Sequence, residues 1–339
     1  MSTHSVDIIE IAEVLPHPNA DRMELVKIGG WTACVGKEQF KVGDRAVYIQ
    51  PDYIVPTDRD EFAFLAKEGR NEHRIRTVRL RGVVSFGLLI RVPEELRDLP
   101  TGANVMEHFA IRRWEPPVES FKPAEADTLA HDLWPQVYNP KFDVENFNNY
   151  PELIGPDEWV VITEKVHGAN AKCVWHNDQF YIGSRNRWLK TEVSSLYTRA
   201  MAPAFGNEAL ADWCRAHPDT VLYGEVYGPV QSLRYGLREP RFLAFAAQRN
   251  DDWANTQELF DSLVGASVPH APVLFSGHLS DWMTKVAAGA LEIDSLVAEW
   301  HDAKGQIMEG AVITPAIERR DLTLGRVALK LISNRYWES

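Results

Sequence analysis

The chain has 339 residues, enough for two domains each with its own core, and an ordinary globular composition of 45% hydrophobic and 25% charged residues. A net charge of −12 argues against a general polyanion binder, whose affinity is dominated by attraction to phosphates. With no run of about 18 apolar residues, no basic or apolar leader, and three widely spaced cysteines (Cys34, Cys173, Cys214), the sequence predicts a cytoplasmic protein without a membrane span, a disulfide framework or a cysteine zinc site.

Residues 6–110 read as short strands broken by glycine and proline turns. Residues 6–14 are apolar-rich, His17-Pro18-Asn19-Ala20-Asp21 is a turn, and 24–28, 46–49, 78–80 and 85–92 are strand-like. That pattern predicts a small barrel. The turn at 17–21 and the stretch Leu80-Arg81-Gly82-Val83-Val84-Ser85-Phe86-Gly87 resemble the OB-fold tRNA-binding modules attached to some aminoacyl-tRNA synthetases. Residues 67–91 carry Lys67, Arg70, Arg74, Arg76, Arg79, Arg81 and Arg91 against Glu68 and Glu72, a local balance of +5 inside an acidic chain. Such a run is either solvated surface or a phosphate-gripping face.

From Arg112 the composition changes. Trp114-Glu115-Pro116-Pro117, Lys122-Pro123 and Trp134-Pro135 mark a proline-rich connector, expected over residues 112–145 between an OB-type domain (1–111) and a second domain (146–339). The second domain mixes strands and helices. Residues 159–163 are a β-branched strand leading into Lys165, and 171–175 with 179–182 form a hairpin through His176-Asn177-Asp178. Residues 194–217 are helical with a break near Pro203. Strands follow at 221–227 and 242–246. Asn255 with Glu258 has the capping-box spacing, 279–303 is mostly helical, and 311–314 and 327–332 are closing strands. The fold class is α+β: an OB-type β-barrel followed by a mixed or antiparallel-sheet domain.

Thr163-Glu164-Lys165-Val166-His167-Gly168-Ala169-Asn170 concentrates the chemistry. A lysine at a buried strand end, with desolvation and neighbouring cations lowering its pKa from about 10.4, becomes a nucleophilic amine. Gly168 permits close backbone approach, and the Asn170 amide suits a sugar or base edge. The bland alternative is a surface lysine before a turn. Further elements follow in order. Arg185 and Arg187 sit after a strand, able to clamp phosphate or ribose or simply to lie exposed. Glu225 lies mid-strand and needs a metal, a ribose hydroxyl or a salt-bridge partner. Phe242 and Phe245 offer rings for adenine or for the core. Glu309 stands at a strand start, suited to a hard cation. Lys330 lies in an apolar strand, where a phosphate would balance its charge.

This order of motifs resembles the covalent nucleotidyltransferases, the ATP-dependent ligases and capping enzymes, over residues 147–339. Within them it is most similar to the RNA ligase 5 family, which seals nicks and carries an N-terminal OB domain. Trp114-Glu115-Pro116-Pro117 also looks like that family's connector. Two features depart from the wider pattern. The last motif usually carries two lysines one residue apart, whereas Lys330 stands between Ala328 and Ile332. DNA ligases usually place an OB domain after the catalytic domain, not before it.

The resemblance implies an ATP-dependent RNA ligase using Mg²⁺ or Mn²⁺. Its substrate would be an RNA or RNA/DNA duplex with a nick, and no obligate protein partner is implied. Lys165 would carry AMP and Lys330 would neutralise the α-phosphate. Glu164, Val166, Asn170, Arg185, Glu225 and Phe245 would line the nucleotide site, with Phe242 in reserve for adenine. Glu309 and Glu225 would hold the metal. His167 and Arg187 would meet the nucleic acid, with a structural turn role open for His167. The rival expectations are a GTP-dependent capping guanylyltransferase and a non-catalytic OB-type RNA-binding protein.

Overall fold

The strand Arg45–Ile49 is buried on both faces because alternate side chains of an extended chain point to opposite sides. Val47 and Ile49 join a cluster with Ile8, Phe62 and Phe109, while Ala46 and Tyr48 join Trp31, Val35 and Phe40. Burying each such large apolar side chain contributes about 1.5–3 kcal/mol. Asp7–Glu10 and Leu88–Arg91 pair antiparallel with its two edges. The strands Glu13–Pro16, Met23–Ile28 and Trp31–Gly36 form a second antiparallel set, and Tyr53–Pro56, Glu72–Arg74 and Arg112–Arg113 a third. The computed structural model describes residues 5–114, 125–322 and 324–338. Of the connector segments named above, Glu115-Pro116-Pro117 and Lys122-Pro123 lie outside the described residues.

The turn at 17–21 and the stretch after residue 80 touch. The His17 ring donates through Nε2 to the Leu80 carbonyl at 3.1 Å while Nδ1 accepts from Asn19 N, and Asn19 Nδ2 donates to the Arg81 carbonyl at 2.9 Å. Both segments that suggested an OB module therefore serve one loop–loop lock.

The chain divides into two units, and the division differs from the expected boundaries. Residues 147–151 and 337–338 group with the N-terminal unit. Trp31 Nε1 donates to Asn149 Oδ1 at 2.6 Å, and a Cβ at Gly30 would lie 2.5 Å from Asn148 Oδ1, so that position requires glycine. Conversely, residues 125–146 belong to the C-terminal unit. The expected connector is there a covering layer. Leu129 N donates to Trp188 O, Tyr223 Oη to Pro140 O, and Leu129, Trp134, Val137 and Phe142 pack on Tyr223 and Trp188.

The C-terminal unit holds two sheets. In the first, Trp159–Glu164 (β1) lies between Val273–His278 and a later strand, Gly310–Pro315. The second is the antiparallel sheet in which Gly168–His176 (β2) pairs with Gln179–Ser184 (β3) and Thr220–Tyr227 (β4), and β4 with Arg241–Arg249 (β5). Asn177 and Asp178, both at positive φ, make the expected tight hairpin between β2 and β3. Gly310–Pro315 (β6) pairs with Leu329–Ile332 (β7), which pairs in parallel with Glu145–Asn146. Helices Leu196–Met201, Glu208–Ala216 and Thr256–Gly265 cover the outer face of the second sheet through Cys173, Leu210, Trp213, Phe242 and Phe260. The break near Pro203 is present. Two details differ from expectation. Asn255 makes no side-chain cap bond; its amide instead donates to Glu258 and accepts from Glu318 N. Residues 279–303 split into Leu279–Ala287 and Leu296–Glu299, with Gly289 at φ 94° between them.

Candidate active site

Pleat alternation sends the side chains of Thr163 and Lys165 to one face of the first sheet and Glu164 to the other. Lys165 N donates to Gly310 O at 2.8 Å, which aligns it with β6. Val312 pairs with both Thr163 and Lys330, so Lys330 lies on the lysine's face, two strands away. The chain then turns into β2. A Cβ at Gly168 would lie 2.2 Å from Val226 O and 3.0 Å from Glu225 Cγ, so the backbone packs here as only glycine allows. Asn170 pairs directly with Glu225 across β2 and β4, placing both on one face.

Lys165 Nζ donates to Glu309 Oε1 at 2.6 Å, while His167 Nδ1 lies 3.0 Å from Oε2 of the same carboxylate. Ser232 Oγ is 3.2 Å from His167 Nε2, so donation from Ser232 leaves Nδ1–H to point at Glu309. His167 N donates to Tyr235 Oη at 2.7 Å, and Gln231 Nε2 donates to the Gly168 carbonyl. Glu309 is buried, with 8% of its side chain exposed, whereas Lys165 keeps 24%; the amine stays reachable while its partner does not.

The electrostatics reverse one expectation. Burial alone would lower the Lys165 pKa, but the charges of Glu309 and Glu225 and the bond to Glu309, with Asp143 farther off, raise it. Carboxylates, not cations, surround the amine. Burial would also raise Glu309, yet Lys165 and His167 hold it down to about 2. Glu225 goes the other way, pushed up to about 8 by burial, with Lys165 opposing and Glu309 adding to the rise. One carboxylate is thus ionised and the other largely protonated at neutral pH, a division typical of paired acids in a site.

Several side chains expected at the nucleotide site have protein partners in this structure. The Glu164 carboxylate faces away from Lys165 and accepts from Ser295 Oγ at 2.5 Å, Leu296 N at 2.9 Å and Val297 N at 3.3 Å, capping the helix Leu296–Glu299. Val166 is core, packed with Tyr227, Tyr235 and Leu243, which leaves only its backbone for a ligand. His167 is buried, with Glu309 and Ser232 as its ring's partners. Phe242 lies in the helix-covered core on the far side of β5, while Phe245 packs on Phe142 with centroids 4.6 Å apart. Arg185 pairs with Asp143 at 2.7 Å, and Arg187 is exposed. Ser232, Tyr235 and Asp143 escaped sequence reasoning because they reach the lysine turn from distant segments and belong to no local motif.

Among the described residues, no group of three or more His, Cys, Asp and Glu side chains is arranged to hold a metal ion. Glu309 and Glu225 nevertheless suit Mg²⁺ or Mn²⁺, which keep several waters and take other ligands from substrate phosphates.

The RNA ligase family profile matches residues 158–332, more than half of the chain, from the start of β1 to the end of β7. The chain belongs to the RNA ligase family. An OB-fold domain profile matches residues 5–92, so this ligase has its OB module first, in the order expected of the RNA ligase 5 type. A search of the curated proteins finds no match. The ligase is similar in fold to solved structures of Naegleria gruberi RNA ligase. An apo mutant gives a TM-score of 0.79 at 24% identity, covering 100% of this chain and 98% of that one. The form with PPi gives 0.77 at 24%, covering 98% and 97%. A mutant with ATP and Mn gives 0.79 at 24%, covering 98% of each chain. No helix among the described residues is long and apolar enough to cross a membrane.

The capping role of Glu164 makes a stability prediction for this ligase. Glu164→Ala leaves the Ser295 hydroxyl, the buried Val297 amide and the part-buried Leu296 amide without their acceptor, which costs about 2–3 kcal/mol. The urea midpoint should fall with an unchanged m-value. An unchanged midpoint would count against the cap.

Proposed function

We propose that this ligase joins 3′-OH and 5′-phosphate ends, in nicked duplexes with an RNA 3′-OH strand, by way of a lysyl-AMP on Lys165 formed from ATP. The observation that carries this reading is the reachable Lys165 amine held at 2.6 Å from the buried Glu309 carboxylate, on the strand face that also bears Lys330. The presence of ATP and Mn in Naegleria gruberi RNA ligase structures supports the choice of nucleotide and ion. Glu309 and Glu225 would hold Mg²⁺ or Mn²⁺, which supplies charge neutralisation for the phosphate oxygens.

Lys165 first loses its extra proton to solvent. Its lone pair then attacks the α-phosphorus of ATP, forming a P–N bond as the bond to pyrophosphate breaks and the nitrogen gives up a second proton. Next, an oxygen of the nucleic-acid 5′-phosphate attacks the AMP phosphorus as the nitrogen takes a proton back, so that the lysine leaves as a neutral amine and is then reprotonated from solvent. Finally the 3′-OH attacks the activated 5′-phosphate, loses its proton and expels AMP. Displacements at phosphorus depend on positioning and charge neutralisation. Lys330 neutralises the α-phosphate, Asn170 orients the ribose, and Phe245, backed by Phe142, faces adenine. Arg185 leaves Asp143 for phosphate or ribose, and exposed Arg187 meets the nucleic acid. The reading carries with it the cytoplasmic setting expected from the three thiols.

Two substrates test it. With α-labelled nucleotides the protein should take label from ATP and not from GTP; labelling by GTP alone would make it a capping-type enzyme. On nicked duplexes with RNA or DNA placed separately on each side, sealing should require RNA at the 3′-OH side. Equal sealing with a DNA 3′-OH would overturn that specificity.

A further inference from the structure

The last turn of the described chain reaches back into the site. Ser333, fully buried, donates through its backbone N to the Glu309 carbonyl at 3.0 Å and through Oγ to the Met308 carbonyl at 2.8 Å. Its Oγ also accepts from Tyr336 N at 3.1 Å, so it caps the short helix Asn334–Glu338. Glu292 anchors the same turn, accepting from Asn334 N at 2.9 Å and Arg335 N at 3.0 Å. Held this way, Tyr336 lays its ring 5.5 Å from that of His167, with Oη 3.3 Å from Nδ1. Since Nδ1–H already points at Glu309 Oε2, the tyrosine oxygen serves as a second acceptor on that N–H.

Glu309 is therefore gripped at both ends. Its backbone is fixed by Ser333, and its carboxylate by Lys165 and His167, whose ring is bracketed by Ser232 and Tyr336. Neither Ser333 nor Tyr336 belongs to a motif assigned above, and both follow the final lysine strand.

We propose that Ser333 and Tyr336 are positioning residues for adenylylation: the turn after β7 sets the Glu309 backbone and the His167 ring, and through them aims the Glu309 carboxylate at the nucleophile and at the divalent ion. This rests on the reading that Lys165 carries AMP and that Glu309 meets the ion. Residues that orient a metal ligand without touching the metal are worth about 10–100-fold in metal affinity.

The test uses the full chain with Tyr336→Phe, which keeps the ring and removes only the hydroxyl, and Ser333→Ala. Lysyl-AMP formation from α-labelled ATP is followed against Mn²⁺ and against ATP separately. Mn²⁺ binding is read independently of chemistry by electron paramagnetic resonance, with a non-hydrolysable ATP analogue present. Half-saturating Mn²⁺ should rise about tenfold in both assays for Tyr336→Phe and by at least as much for Ser333→Ala. The KM for ATP and, for Tyr336→Phe, the unfolding temperature should stay at wild-type values. Wild-type Mn²⁺ dependence in both variants would overturn the proposal. So would parallel shifts in ATP and Mn²⁺ that follow a lowered unfolding temperature, because they mark general loosening. A wild-type protein that takes up no label would defeat the lysyl-AMP reading itself, and this proposal with it.

Discussion

On the proposed reading, Lys165→Ala should abolish covalent labelling by ATP and lower nick sealing by about 10⁴-fold or more, the scale seen when a nucleophile is removed. No other group in the site can substitute. Lys330 lies on the same face but two strands away, and Lys172 is buried, with its amine held at 2.6 Å by Asn139 Oδ1 and lying over the Trp188 ring. The same substitution acts on stability with a definite pH signature. Glu309, depressed to about 2 from an ordinary 4.5, contributes stability that is present above 4.5 and lost as pH falls toward 2. Lys165, raised, contributes stability that is present below its ordinary 10.5 and lost as pH rises through its folded value. The gap in unfolding temperature between wild type and Lys165→Ala should therefore be widest between these limits and should close as pH falls from 4.5 toward 2. Labelled Lys165→Ala protein, or a gap independent of pH, would contradict the pairing that defines the site.

What the sequence made legible follows the range of the interactions. The segment from Lys165 to Asn170 was readable because its logic is local: a strand end, a turn, a glycine where Val226 O lies too close for a Cβ. Register did the same for Lys330, since a lysine in an apolar strand must face something polar. The direction of the Glu164 carboxylate was legible too, although the nucleotide role implied for Glu164 did not use it. That residue immediately precedes the lysine in a strand, and alternation alone puts it on the opposite face. The connector misled. Its prolines signal a linker, but Leu129, Trp134, Val137 and Phe142 are an apolar load that no free linker carries, and they cover the second sheet. Ser232, Tyr235, Ser333 and Tyr336 had no local signal. They converge on His167 or Glu309 from 24 to 169 positions away in the chain, and only the tertiary fold sets that meeting.

Glu309→Gln is the sharpest probe of how the site divides its labour, because two effects of the substitution oppose each other. Removing the carboxylate charge takes away the foremost influence raising the Lys165 pKa and leaves burial, which lowers it, opposed only by the weaker pull of Glu225 and Asp143. More of the amine is then neutral at a given pH, a gain of at most about tenfold for each unit of downward shift. Against this, if Glu309 holds the divalent ion as proposed, the ion would lose its ionised protein ligand, and losing a preorganised charge at the reacting phosphate costs about 10²–10³-fold. Glutamine keeps the shape, and its carbonyl oxygen still accepts from His167 Nδ1–H, so the fold survives. The expected result is a maximal adenylylation rate lower by about 10²-fold or more, with the pH–rate profile displaced toward acid. A variant faster than wild type at neutral pH would mean that deprotonation of Lys165 limits the reaction and that Glu309 acts only as its counter-ion. An unshifted profile would mean that Glu309 does not control the lysine at all. With one carboxylate at 2.6 Å from the amine and 3.0 Å from His167, the proposed roles of Glu309 as counter-ion and metal ligand predict both changes together.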